Sequence, residues 1–105
     1  MQADSQVPEE IGKAISSVRE VESNIPIEEM KLVEHIDFRD GVVTVKYHCV
    51  SPFCPAMLVL ATGLELKRNL LEIDKVKEAK VSVVNHYLAE KINTKIAAFI
   101  PEKRN

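Results

Sequence analysis

From residue 8 onward, Ile11, Ala14, Ile15, Val18 and Val21 recur at three-to-four spacing and form one apolar stripe, which predicts a helix over 8–22. Pro8 suits a first helical position, where its missing N–H is one that would be unpaired anyway. Glu9 and Glu10 suit the positive end of the helix dipole. Ser23-Asn24-Ile25-Pro26 then breaks the pattern. Over 29–38 the period changes to two, with Met30, Leu32, Ile36 and Phe38 on one side and Lys31, Val33, His35 and Asp37 on the other, a strand whose apolar face is interrupted at Glu34. Arg39-Asp40-Gly41 reads as a hairpin turn. The return strand covers 42–50, with Val43, Val45, Tyr47 and Cys49 on one face. Pro52 and Pro55 end that strand and open a helix running to about Leu71, with Pro55 at its first position. The first half of that helix is apolar nearly all round and is expected to be buried on two sides. Gly63 lowers helix propensity by about 1 kcal/mol, which points to a close approach by another element. A third strand over 78–84 alternates Val81 and Val83 with Lys80 and Ser82, Asn85-His86 breaks it, and Leu88, Ile92, Ile96, Phe99 and Ile100 mark a last helix.

The order α-β-β-α-β-α predicts a single small α+β (α/β) domain. A hairpin plus a strand reached through a helix gives a three-stranded mixed sheet with helices mainly on one face, and the crossover is expected to be right-handed. At 105 residues there is one domain, its core at about 8–98 and residues 101–105 a charged tail.

Composition narrows the function classes. The net charge is −2, so there is no basic excess to neutralise a phosphate backbone, and nucleic-acid binding is not expected. With no Trp, two Tyr and three Phe, a stacking platform for single-stranded bases is not expected either. No apolar run reaches the roughly 20 residues of a membrane helix, and the polar 1–6 segment lacks the apolar stretch of a signal peptide. The expectation is a cytoplasmic protein with no membrane association. Its two cysteines, Cys49 and Cys54, are then thiols rather than a structural disulfide.

Phe53-Cys54-Pro55-Ala56-Met57 is the segment that carries chemistry. Pro55 at a helix start puts Cys54 at or beside the N-cap, where unpaired amides and the helix dipole favour a thiolate, a nucleophile or soft-metal ligand. The alternative is a small, buried, apolar cysteine. Cys49, on the apolar face of its strand, reads first as a core residue and second as a metal ligand. His48 lies between the two cysteines but faces the other way by strand alternation. A closed tetrahedral site takes about four ligands, so a metal or cluster shared between two chains, as in a homodimer, fits better than one held within a chain. The Ser51 hydroxyl reads as a cap or a partner for a backbone amide, with a hydrogen bond to the Cys54 sulfur as its second role. His35 and His86 read as solvated or hydrogen-bonded histidines, with His86 near the C-terminal edge of the sheet. Lys67-Arg68 and Lys75-Val76-Lys77 read as solvated charge.

Taken in order, Asp40-Gly41-Val42-Val43-Thr44-Val45, Ser51-Pro52-Phe53-Cys54-Pro55, Leu70-Leu71-Glu72-Ile73-Asp74-Lys75-Val76 and Ala79-Lys80-Val81-Ser82-Val83 resemble the metallo-sulfur cluster assembly domain, the family of SufT-like, PaaD-like and MIP-type iron–sulfur assembly proteins. The similarity covers residues 29–98. It implies a small α/β fold, a transient iron–sulfur cluster, and client or scaffold proteins of iron–sulfur assembly as partners. The family's reactive cysteine corresponds to Cys54 and its supporting hydroxyl to Ser51. Two positions depart from the family. Where it has an Asp-Pro-Glu turn after the first helix, this chain has Glu20-Val21-Glu22; where it has a glycine in the first strand, this chain has Lys31. If that turn's acidic residue supports the cysteine, Glu20 or Glu22 is its only substitute. The leading expectation is a non-enzymatic assembly or carrier factor. A cysteine-nucleophile enzyme and an interaction module with a structural Cys54 are the alternatives.

Overall fold

The computed structural model describes residues 7–101; the N-terminal segment 1–6 and residues 102–105 of the tail lie outside it. The elements are α1 (Glu9–Ser16), β1 (Val33–Arg39), β2 (Val42–Tyr47), α2 (Ala56–Leu71), β3 (Glu78–Val83) and α3 (Ala89–Ala98). This is the expected α-β-β-α-β-α order. The sheet runs β1-β2-β3, with β1 and β2 antiparallel and β2 and β3 parallel. Val43, Val45, Tyr47, Ala79, Val81 and Val83 turn one sheet face into the core. The helices supply Ile11, Ile15, Leu66, Leu70, Ile92 and Ile96 against it.

Asp40 and Gly41 have φ of 51° and 82°, the paired positive angles of the two-residue hairpin turn that the right-handed twist of strands prefers. The Gly41 carbonyl then accepts from the Lys77 and Glu78 amides at 2.7 and 3.2 Å, so the turn also fixes where β3 begins.

The first helix ends at Ser16 and not at residue 22. Val18 keeps the helical spacing and is buried, but its carbonyl accepts from the Ile27 amide at 2.9 Å, and the Glu20 amide donates to the Ile25 carbonyl at 2.8 Å. Pairing with the returning chain outcompetes one more helical turn, and Val21 ends up exposed. The first strand starts at Val33, four residues late, because residues 26–32 form turns closed by Met30, Lys31 and Leu32 amides on Pro26, Glu28 and Ile27 carbonyls. Lys31 there has φ of 59°. A bulge follows, since Val33 pairs with Tyr47 but His35 with Lys46, leaving Glu34 as the extra residue. The bulge lets Val33 and Ile36 both face the core, which strict alternation forbids.

β2 ends at Tyr47, so Cys49 lies beyond the strand. α3 is a little shorter than predicted, with Phe99 already extended. The buried positions of α2 are Val59, Gly63, Leu66, Lys67 and Leu70. That is one stripe, not two buried sides, and Met57 points outward. Gly63 is the anticipated close approach. A Cβ there would sit 2.5 Å from Ile96 Cδ1 and 2.6 Å from the Tyr47 hydroxyl oxygen. Lys67, expected in solvent, is buried. Its Nζ donates to the Ile96 and Ala97 carbonyls at 2.8 and 3.2 Å, filling the C-terminal acceptors of α3. Desolvation lowers its pKa from the ordinary lysine value.

Candidate functional site

Ser51-Pro52-Phe53-Cys54 forms a tight turn between β2 and α2. The Cys54 amide donates to the Ser51 carbonyl at 3.3 Å, and the Phe53 amide donates to Ser51 Oγ at 3.0 Å. Ser51 thus takes the backbone role of the two proposed for it. Pro55 occupies the N-cap of α2, with extended ψ of 127°, so Cys54 sits one residue before the cap rather than in it. The Leu58 and Val59 amides spend themselves on the Pro55 carbonyl at 3.0 and 3.2 Å.

The loop from β3 to α3 holds this turn from the far side. His86, buried, has Nε2 2.8 Å from the Cys54 carbonyl oxygen, while its Nδ1 accepts from the Leu88 amide at 3.0 Å. An acceptor at Nδ1 puts the neutral ring's proton on Nε2, which therefore donates to Cys54. The Tyr87 amide adds a bond to the Pro52 carbonyl at 3.1 Å. His86 is a structural residue of the thiol turn.

Cys49 and Cys54 are both free and both half-buried. Cys49 lies past the end of β2 and Cys54 at the far side of the turn that follows, and both pack against the edge of the core. The Cys49 thiol is pushed up to about 11, by burial first and then by its neighbour Cys54. Cys49 is therefore not wholly a core residue: it is half-buried, beyond the strand, at the edge of the thiol turn. Tyr47, beneath, is raised by burial and by Cys49, and its hydroxyl donates to the Val59 carbonyl at 2.6 Å. Reading Cys49 as a strand residue hid its place in the turn region. The signal for it was Pro52, which turns the chain back within three residues of Cys49.

The other sequence candidates fall elsewhere. His48 Nδ1 lies 2.5 Å from Glu34 Oε2, on the bulge. The Glu20 carboxylate accepts from the Ser23 and Glu22 amides at 2.8 and 3.2 Å. Hydrogen bonds to the Ser23 side chain and to these amides hold it below the usual range. Its turn is self-contained. Among the described residues, no group of three His, Cys, Asp or Glu side chains is arranged to hold a metal ion.

Around the thiols the surface is apolar and open. Val50, Phe53, Met57 and Tyr87 are 58, 73, 82 and 63% exposed, and the Phe53 and Tyr87 rings lie 5.6 Å apart, tilted, within the range of favourable aromatic pairs. Large side chains so exposed in one place mark a contact surface. Sequence reasoning missed this collar because the early turns of α2 were expected to be covered.

A clamped cysteine turn at the start of α2, beside a three-stranded mixed sheet, defines a small α+β thiol protein. The family model described as iron-sulfur cluster assembly protein matches residues 8–83, and the chain belongs to that family. Its general role is therefore in iron–sulfur cluster assembly, which entails contact with other assembly or client proteins. Comparison with curated proteins returns no match. Among the described residues, no helix is long and apolar enough to cross a membrane.

Proposed function

We propose that this chain is a non-enzymatic assembly or carrier factor of the SufT- and PaaD-like kind, working in the cytoplasm and holding an iron–sulfur cluster transiently as cargo through Cys54. The observation that carries this reading is the presentation of Cys54. Its turn is fixed by Ser51, Pro52 and His86, a second free cysteine, Cys49, lies five residues before it, and its rim is exposed and apolar. Fixed position lets the sulfur meet iron without reordering the loop. The apolar rim lets a client or scaffold protein seal against the site. Cys49 supplies a second sulfur, and because iron–sulfur clusters take about four protein ligands, two copies of the chain, or one copy and its client, complete the set.

Anaerobic reconstitution of the reduced protein with ferrous iron and sulfide tests this. Bound iron and acid-labile sulfide, with visible absorption, are expected for the wild type and lost in Cys54→Ala. Equal loading of both proteins, or none in either, contradicts the proposal.

A further inference from the structure

Away from the thiol turn, the last turns of α2 and α3 and the outer edge of β3 enclose a cleft of about 850 Å³, within the roughly 300–1,000 Å³ of small-ligand pockets. It shares no residue with the turn or with the apolar collar. Leu71, Val76, Val81, Ile96 and Ile100 give it aliphatic walls. One lining side chain stands out against them. Lys67 is 9% exposed, and an ammonium taken that far out of water needs partners. It carries three N–H groups. Two go to the Ile96 and Ala97 carbonyls. Among the described residues the third has no partner, and no carboxylate lies within ion-pair distance of it. Desolvation holds the ammonium below the ordinary lysine range, and Glu78, acting from further off, offsets this only in part.

We propose that this cleft binds a monocarboxylate with an aliphatic chain, its carboxylate accepting the third Lys67 N–H and its chain lying along the walls. The charges around the cleft select this class. Its other ionic side chains are exposed, the cations Arg68, Lys77 and Lys80 and the carboxylates Glu72, Asp74 and Glu78. Three of each sign, screened by water, leave the rim with no excess charge for a phosphate or other polyanion. The buried ammonium supplies a single positive charge, which a single carboxylate matches. The strand adds a second donor. Val83 turns its N–H and C=O outward to Asn93, so Val81, two residues earlier in β3, turns its own outward as well. Among the described residues the Val81 amide has no hydrogen-bond partner, and Val81 lines the cleft. The site goes beyond the thiol chemistry and does not depend on it.

Full-length, isotope-labelled protein is titrated with octanoate, octanol and acetate, and its amide shifts are followed by NMR. Octanoate is expected to saturate at one molecule per chain and to shift the Val81, Ile96 and Ala97 amides. Octanol, with the same chain and no charge, is expected to bind at least about tenfold more weakly, the worth of one hydrogen bond to a charged group. Acetate, the charge without the chain, is expected to leave these amides unmoved over the same range. Lys67→Met should erase the difference between octanoate and octanol. Ala97→Trp, which fills the cleft from α3 and keeps the ammonium, should block both. Circular dichroism checks each fold, and if Lys67→Met does not fold, the wild-type comparison and Ala97→Trp decide. The proposal is overturned by equal binding of octanoate and octanol, by acetate shifting the same amides as strongly, or by undiminished binding to Ala97→Trp. It is overturned equally by the lack of a saturable octanoate shift, or by shifts centred on Val50, Phe53 and Tyr87.

Discussion

Gly63 is the position with the least room. Alanine there gains about 1 kcal/mol of helix propensity, but its methyl meets the Tyr47 hydroxyl and Ile96. The isoleucine terminus can rotate; the hydroxyl cannot without leaving the Val59 carbonyl. Overpacking of this kind costs about 1–3 kcal/mol, so Gly63→Ala is expected to lower stability in urea unfolding, and a stabilised variant would refute the contact. Lys31 presents the opposite case. The left-handed backbone costs a residue with a Cβ about 1–2 kcal/mol, a strain that glycine would not carry. Lys31→Gly is expected to raise stability by about 0.5–1 kcal/mol once glycine's extra unfolded-state entropy is subtracted, measured in the same assay. Cys49 gives a pH signature. Its thiol is held at about 11 in the fold against an ordinary 9.0, so the folded chain retains a proton that the unfolded chain releases. The stabilisation is present below pH 9 and is lost as pH climbs from about 9 to 11. Cys49→Ser should remove that part of the alkaline slope in chemical denaturation at stepped pH. An unchanged slope would show that the thiol does not make this difference.

At the scale of elements, the hairpin and the helix starts were legible because Asp40-Gly41 and the prolines act locally. The end of α1 was not, since Val18 holds helical spacing while its carbonyl pairs with a distant amide, information absent from any window of sequence. The bulge at Glu34 was visible only as a break in the apolar face, and Lys67 looked solvated because its acceptors lie 29 and 30 residues away in α3. The turn that carries Ser51 and Cys54 was legible from the Pro-x-Cys-Pro spacing, whereas the place of Cys49 outside the sheet depended on where β2 stops. One long-range device is directly testable. Asn93 on α3 accepts from the Val83 amide at 2.7 Å and donates to the Val83 carbonyl at 3.0 Å. Asn93→Ala leaves both groups without their partner at a cost of about 1–3 kcal/mol, and exchange of the Val83 amide is expected to quicken in hydrogen-exchange NMR, while unchanged protection would argue against the bond.

For the whole molecule, fold and chemistry separate cleanly. The core lies between the helices and one face of the sheet, and the apolar collar lies outside it, so the collar can be altered without touching stability. Phe53→Ser with Met57→Ser is expected to shift unfolding by no more than about 0.5 kcal/mol per site, as surface changes do. Transfer of a reconstituted cluster to a plant-type apo-ferredoxin should slow with the same substitutions, followed by circular dichroism of the acceptor. Undiminished transfer would remove the collar from the docking surface.

The grip of Asn93 on Val83 bears on how copies of this protein can meet. β3 borders the sheet, and such a border invites a neighbour to extend it. At Val83 the carboxamide already occupies the place a visiting backbone would take, so lateral growth of the sheet through this rim must first evict a side chain anchored in α3. Two copies that share a cluster would then join at the sulfur-bearing end, leaving their sheets separate.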